Sequence, residues 1–518
     1  NGLLINSENY QTLELLQTKF KEKVKTIYID PPYNTGGDGF AYKDNFRHSS
    51  WCSLMFNRLD LSYNFLVPEG LLFTSLDDNE GFNIKSICDS VFKPENFKAN
   101  FIWQSRKSKQ NDIDVSLAHN YTICYAKNKT KHNIIGDFLN EDDFANPDNH
   151  KKGKWKSTPV TAPGLRDRTS YFKVKNPNNN IEYSCPEGRH WTFFEEDVQS
   201  LIDEGYLYFG TEGNSAPNGR RFWEEVKDDR SSVTTIWNFL ETTTNGSKRL
   251  KNLLGHKRFS NPKPVGLIKY IGEKSLMNNE IILDFFAGSG TTGESIIIAN
   301  KNEVSKNNKY MLVEMGSYFD ALTKPRIQKV IYSDNWKNGK PIDNNGSLKH
   351  IFKYQVLEQY EDVLDNLQIY EGALPEKLPI KYLYKPEENS LDTTLNLFTP
   401  FSNTISYGQP TQQGFIDIVE TYNYLQGYFI KSIKTYELNK KYYKVIETTN
   451  GVLVVWRDIT INEDDSKQII EIASKYANIH TIEVNAEFAT LNLDKSNNLK
   501  VEDTDIELKI ISKEVFNQ

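Results

Sequence analysis

Between Val24 and Ile29 the chain is apolar and β-branched (VKTIYI), the pattern of a buried strand, and Asp30-Pro31-Pro32-Tyr33 follows at once. Neither proline can donate a ladder hydrogen bond or carry a helix onward, so residues 30–33 are expected to form a stiff loop at a strand's carboxyl end. The pattern returns at Ile281-Ile282-Leu283-Asp284, where Phe285-Phe286-Ala287-Gly288-Ser289-Gly290 makes a glycine turn and Thr291 or Thr292 sits near a helix cap. A further strand over Lys309 to Val313 ends in Glu314. Around these, Leu3-Leu4-Ile5-Asn6 predicts a short strand, and Tyr10 to Phe20 and Ser49 to Phe65 predict helices. Pro68-Glu69-Gly70 predicts a turn into a buried strand over Leu71 to Leu76. The alternation predicts an α/β fold, in which ligands bind at the carboxyl ends of the strands.

The pattern then changes twice. Between about Lys131 and Ser231 the chain is polar, with Trp155, Arg166, Arg168, Tyr171, Arg189, Trp191, Arg220, Arg221, Phe222 and Trp223 interleaved. Arginine pairs well with guanine edges, and asparagine or glutamine with adenine edges, so the material for base readout is present. Beyond about His350, alternating strands such as Gly451 to Trp456 combine with an amphipathic helix near Lys467 to Tyr476, predicting an α+β region.

A chain of 518 residues is too long for one core, so roughly two to four domains are expected. It opens at Asn1 rather than methionine, which suggests a fragment or a processed chain. The net charge of −7 divides unevenly: residues 355–518 carry 26 acidic and 15 basic groups, a balance of −11, which leaves +4 for residues 1–354. Basic residues cluster at Lys151, Lys152, Lys154, Lys156, Arg166, Arg168, Lys173 and Lys175. They cluster again at Lys248, Arg249, Lys251, Lys257, Arg258, Lys263 and Lys269. Two such clusters between the Asp30 and Asp284 motifs suggest phosphate contact rather than a merely solvated face. Four cysteines without even spacing argue for a reducing, cytoplasmic setting, with Cys52, Cys88 and Cys124 as buried thiols. Cys185 and His190 lack the second pair that a zinc site needs. Neither a membrane span nor a leader peptide is indicated.

The residues narrow the chemistry further. The carboxylate of Asp30 and the carbonyl of Pro31 can accept both hydrogens of an exocyclic amine, while Tyr33 stacks on the ring that carries it. Glycines at 288 and 290 let backbone approach a cofactor, and an acid at position 314 can accept hydrogen bonds from ribose hydroxyls.

Asp30-Pro31-Pro32-Tyr33 resembles the catalytic motif of DNA amino-methyltransferases, whose adenine-N6 group usually opens it with aspartate. With Asp284 to Gly290 and Glu314 it resembles the S-adenosylmethionine site of the β class, in which the catalytic motif also comes first. The segments DPPYNTGGDGFAYKDNF and WCSLMFNRLDLSYNFLVPEGLLFTSLDDNE closely resemble the modification subunit of type III restriction-modification systems. The resemblance resumes at Phe101-Ile102-Trp103-Gln104 and His119 to Lys127, which look like the last two strands of the sheet. It resumes again near Phe259 to Pro264 and at Lys324 to Val330. It implies a Rossmann-like S-adenosylmethionine-dependent methyltransferase sheet in two parts, residues 1–130 and 241–349. An inserted target-recognition domain at 131–240 and a C-terminal assembly domain at 350–518 complete it.

The implied activity is transfer of a methyl group from S-adenosylmethionine to adenine N6 in double-stranded DNA, with the base flipped out of the stack. Asp30, Pro31, Pro32 and Tyr33 are the implied catalytic residues. Asp284, Phe286, Gly288, Ser289, Gly290, Glu314, Lys263 and Glu8 are implied at the cofactor. The implied partners are DNA, a second copy of the chain and a separate helicase-nuclease restriction subunit. Cytosine-N4 methylation, also at an exocyclic amine, stays open. So does a catalytically idle subunit that targets a nuclease.

Overall fold

The computed structural model describes residues 1–35, 46–109, 114–131, 134–256, 259–303, 305–346, 349–358, 362, 367–369, 391–393, 395–407, 412–459, 465–485, 499–500 and 506–517. The chain forms two compact units, Asn1–Asn133 with Thr235–Gln518, and Ile134–Thr234.

The first unit is built on a nine-stranded sheet. In chain order its strands are β1 (Gly2–Asn6), β2 (Val24–Ile29), β3 (Leu66–Leu76), β4 (Phe97–Gln104), β5 (His119–Ala126), β6 (Ile236–Trp237), β7 (Ile281–Asp284), β8 (Lys309–Glu314) and β9 (Phe352–Val356). In space they run β6-β4-β5-β3-β2-β7-β8-β1-β9. β5 is antiparallel to both its neighbours, and every other pairing in the sheet is parallel. A parallel sheet covered on both faces needs strands that are apolar throughout. Val24, Ile27, Tyr28, Ile29, Ile282, Leu283, Leu312 and Val313 are accordingly all buried.

The helices that matter for the site are α1 (Asn9–Phe20), α2 (His48–Tyr63), α3 (Gly81–Phe92), α4 (Thr243–Leu254), α5 (Val265–Ser275), α6 (Thr291–Asn302) and α7 (Lys324–Tyr332). From β2 the chain crosses to β3 on one side, and from β7 it crosses to β8 on the other. The sheet therefore reverses direction between β2 and β7, the position at which open α/β sheets form a crevice.

Three expectations need correction. No turn separates Pro68-Glu69-Gly70 from a strand beginning at Leu71, because β3 already starts at Leu66. The pairing jumps from Val24↔Leu66 to Thr26↔Leu71, so the three residues are absorbed as a bulge where Pro68 owes no ladder hydrogen bond. The catalytic sheet also does not stop at residue 349, since β9 pairs with β1 from Phe352 to Val356. Nor are β4 and β5 its last strands. β6 adds beyond β4, with Trp237 stacked on Phe101 at 4.3 Å between ring centres.

After β9, a six-stranded mixed sheet carries a buried core around Val454, Trp456 and Ile446. The helix Ile418–Leu425 lies against α1, where the buried Lys19 ammonium sits 4.1 Å from the centre of the Tyr424 ring.

The second unit holds a three-stranded sheet of Leu207–Tyr208, Asn218–Phe222 and Trp155–Thr158 over a core of Val160, Val174, Trp191, Leu207 and Phe209. Most of its expected phosphate-binding cations are engaged internally: Lys152 with Glu225, Lys154 with Glu141, Lys156 with Asp143, Arg168 with Glu196 and Lys173 with Glu182. Among the described residues, Lys151, Arg166 and Lys175 have no ion pair.

The cysteines are free. Cys88 and Cys124 are buried, and burial pushes both thiols well up, whereas Cys52 is only partly buried and packs against the core from α2. Among the described residues no helix is long and apolar enough to cross a membrane.

Candidate active site

Four adjacent parallel strands, β2, β7, β8 and β1, deliver Asp30, Asp284, Glu314 and Ser7-Glu8-Asn9 to one edge of the sheet. One cleft is lined by residues from all four strand ends: Glu8, Asp30, Pro32, Asp284, Phe286, Gly288, Ser289 and Glu314, together with Lys263. Pro31 and Tyr33 lie in the same loop as Asp30, and Gly290 precedes the first residue of α6.

The loop after β2 is fixed from below. The indole of Trp51 on α2 donates to the carbonyl of Pro32 at 2.9 Å, which leaves the Pro31 carbonyl as the acceptor beside Asp30. Asn34 takes a left-handed conformation (φ 59°), accepts from the Phe46 amide at 2.6 Å and donates to Glu80 at 2.6 Å. Glu80 is buried, and Asn83 and His48 also donate to it. Burial pushes the Tyr33 hydroxyl well above its ordinary range, and the charge of Asp30 adds to the effect. The Lys263 ammonium donates to Asp30 Oδ1 at 2.6 Å and lies 4.8 Å from the centre of the Tyr33 ring.

The turn after β7 is held by three systems. Asp284 accepts from the Thr292 hydroxyl at 2.5 Å and from the Phe286 amide at 3.1 Å, and burial pushes its carboxyl up to about 7. Glu314 accepts from the Gly288 amide at 2.8 Å and from the Gly316 amide at 2.7 Å; burial raises its carboxyl, and these amides restrain the rise. The Tyr318 hydroxyl and the Met315 amide also donate to this carboxylate. Gly288 and Gly290 have φ of 50° and 80°, and at Gly288 a Cβ would lie 3.3 Å from the Phe259 ring. Beneath the turn, the buried Arg326 donates to Ser289 Oγ at 2.7 Å, to Thr291 Oγ1 at 2.8 Å and to Glu294 at 2.5 Å, while Arg249 donates to Glu294 at 2.7 Å. Burial raises the Glu294 carboxyl, but the two guanidiniums more than offset this and hold it below its ordinary value.

Glu8 has a structural role as well as lining the cleft. It caps α1 by accepting from the Gln11 amide at 3.1 Å, and it is paired with Arg58, which also bonds Asn9. Arg58, Trp51, Phe259, Met315, Tyr318 and Arg326 complete the site or its support without having been singled out in the sequence. Phe259 and Tyr318 meet edge to face at 5.3 Å on the cleft's border. Arg58 and Trp51 lie seven residues apart on α2 and so share a face, which is the one sequence signal that could have found them.

S-adenosylmethionine fits these groups: an acid at a strand end for ribose hydroxyls, a glycine turn, apolar walls at Phe286 and Met315 for a purine, and an ammonium for a carboxylate. Among the described residues no His, Cys, Asp and Glu cluster has the arrangement of a metal site.

A doubly wound sheet with an acid at each of three adjacent strand ends and a glycine turn between them defines an α/β enzyme. Its cleft suits a nucleoside cofactor beside an amine-bearing ring. Residues 24–324, more than half of the chain, match the family described as DNA methylase, and the chain belongs to that family. It is similar to the StyLTI Mod subunit of a type III restriction-modification enzyme from Salmonella typhimurium, 28% identical over 420 residues that cover 72% of this chain and 63% of the relative. It is also similar to the EcoPI Mod subunit from Escherichia phage P1, 27% identical with 72% of each chain covered. The chain therefore spans less than two thirds of the Salmonella protein. Among solved structures, TTHA0409 from Thermus thermophilus, a putative DNA modification methylase complexed with S-adenosyl-L-methionine, aligns with 69% of this chain and 98% of its own. The identity is 12% and the TM-score 0.33.

Proposed function

We propose that the chain transfers a methyl group from S-adenosylmethionine to N6 of adenine in double-stranded DNA, as the modification and recognition subunit of a type III restriction-modification system. The observation that carries this reading is the convergence of Asp30, on its proline-stiffened loop, with Asp284 and Glu314 in one cleft. The cofactor, when bound, supplies an electrophilic methyl group on sulfur.

The chain's own residues do the positioning. Asp30 and the Pro31 carbonyl accept the two amine hydrogens, which turns the nitrogen lone pair away from the ring and toward the methyl group. Tyr33 stacks on the base, whose N6 cannot reach Asp30 while paired in the duplex, so the base is flipped. As the N–CH3 bond forms, the amine gives up one hydrogen as a proton, and Asp30 is the acceptor in reach. Glu314 holds the ribose, and Asp284 keeps the turn in shape through Thr292 and Phe286.

The unit Ile134–Thr234 is read as the target-recognition domain. The region after β9 is read as serving assembly with a second copy and with a restriction subunit, a reading supported by the relatives' being Mod subunits. Asp30→Ala should lower methyl transfer by at least about 10²-fold without weakening cofactor affinity. Transfer of tritiated methyl followed by nucleoside separation tests this. N4-methylcytidine as the product would replace the adenine assignment, and undiminished transfer by the variant would remove Asp30 from the chemistry.

A further inference from the structure

The reading just proposed needs two surfaces of the catalytic loop, the Asp30 carboxylate and the face of the Tyr33 ring, and one ammonium holds both. Lys263 donates to Asp30 Oδ1 at 2.6 Å and sits 4.8 Å from the Tyr33 ring centre. Stacked rings place their centroids about 4.5–7 Å apart, so the ammonium stands inside the shell that a stacked base must enter. Tyr33 also packs against the apolar core, which leaves this ring without another face to offer. The pair is well shielded, the Lys263 side chain being 11% exposed.

The backbone of Lys263 cannot move aside. Pro262 and Pro264 flank it, Pro264 caps α5, and the Thr291 hydroxyl donates to its carbonyl at 3.2 Å. What can move is the four-carbon stem, whose ammonium is a rotatable point charge. An ammonium leaves a shielded carboxylate readily only for another anion. S-adenosylmethionine has one anionic group, the carboxylate of its amino-acid end. The other described cation lining the cleft, Arg58, is committed to Glu8 and Asn9.

We propose that Lys263 is a positioning residue that makes capture of the target base depend on the cofactor. It releases Asp30 and Tyr33 when it turns to the cofactor's carboxylate, so the flipped adenine is held after the cofactor and not before it. The inference rests on the proposed methyltransferase reading, and the two can fail separately. The full chain is first used to methylate DNA, and N6-methyladenine is mapped; no methylation would defeat that reading and leave no site to test.

With the mapped site known, 2-aminopurine is placed at the target position and its fluorescence is followed as the chain is titrated. Three conditions are compared: no added nucleoside, S-adenosylhomocysteine, and 5′-methylthioadenosine, which keeps the adenosine and thioether but lacks the carboxylate. Wild type should extrude the base at on the order of tenfold lower protein concentration with S-adenosylhomocysteine than in the other two conditions, the size of one shielded charge-pair coupling. Lys263→Met should extrude it equally well in all three, and Lys263→Arg should keep the wild-type dependence. Equal responses of wild type to the two nucleosides would overturn the proposal. So would a K263M chain that melts normally but retains the dependence or no longer extrudes the base. Should K263M fail to fold, the wild-type comparison decides alone.

Discussion

Replacing Glu294 by glutamine should cost this fold heavily, although it exchanges one oxygen for a nitrogen. Glu294→Gln keeps the shape of the side chain and removes its charge. Glu294 and Arg326 are both fully buried, and Arg326 is the group that ties Ser289 and Thr291 of the cofactor turn to α7. The carboxylate stays ionised there because two guanidiniums outweigh the cost of its burial. Without it, Arg326 becomes an uncompensated buried cation, a defect that costs about 3–5 kcal/mol. Arg249, which is partly exposed, recovers by reaching solvent, so the figure belongs to Arg326 alone.

Thermal unfolding of the full chain should then move down by roughly 3–5 °C, and cofactor affinity, read by calorimetry, should weaken as the turn loosens. Arg326→Met should cost less than E294Q, because Glu294 keeps Arg249. The pH dependence gives a second handle. A carboxyl held below its ordinary value of 4.5 contributes stability that is complete above that value and is lost as the pH falls below it. Wild type should therefore lose stability on acidification below about 4.5 that E294Q does not lose. A variant within about 1 kcal/mol of wild type at neutral pH, with unchanged cofactor affinity, would refute the reasoning.

Two further outcomes are expected. Burial between α1 and the helix Ile418–Leu425 pulls the Lys19 ammonium down from 10.5 to about 8, so Lys19→Met should stabilise the chain by about 3 kcal/mol at pH 7, less whatever the ring contacts give back. The gain should be full below about pH 8 and vanish as the pH rises to 10.5, where the ammonium is lost in both states; destabilisation at pH 7 in a urea titration would contradict it. In the second unit Arg166, exposed beside Trp191, Phe193 and Phe194, is the arginine whose guanidinium has no hydrogen bond or ion pair among the described residues. If that unit reads DNA, Arg166→Ala should relax one guanine position of the methylated site, at about 1–3 kcal/mol of discrimination, in a map of methylated sequences. A slower but equally strict enzyme would make Arg166 a phosphate contact instead.

The framework of the site was legible because three of its strands carry the same signal, an apolar run that ends in an acid, at Asp30, Asp284 and Glu314. What joined the strands was not. Lys263 reaches Asp30 across 233 positions and Arg326 reaches Glu294 across 32, and no periodicity marks such pairs. β6 has two residues, too few to show a pattern, and β9 lies at an edge with no fully buried residue to mark it. The partners of the cation clusters were hidden for a related reason: Lys154 is paired with Glu141 at 13 positions' distance and Arg168 with Glu196 at 28, so cations that look free along the chain have acids beside them in space. Glu8 was legible as a polar residue at the right turn, but the capping and ion-pair work it does there was not.

Three acids at neighbouring strand ends, Asp30, Asp284 and Glu314, would repel one another if they were equivalent, and the structure makes them differ. Asp30 faces the Lys263 ammonium at 2.6 Å. Glu314 is raised by burial yet accepts from two amides, so its lone pairs point in fixed directions. Asp284 is the deepest: burial pushes it up to about 7, so in the folded chain it holds its proton up to neutrality while an unfolded carboxyl would release it near 3.8. Folding is thereby linked to proton uptake at Asp284, and that residue's contribution to stability falls as the pH rises between those two values. Whenever Asp284 holds its proton, the cleft carries one negative charge fewer. The same residue type thus serves as a hydrogen-bonded strut at one strand end and, in the proposed reaction, as the amine acceptor at the next, with the difference set by depth and partners rather than by sequence.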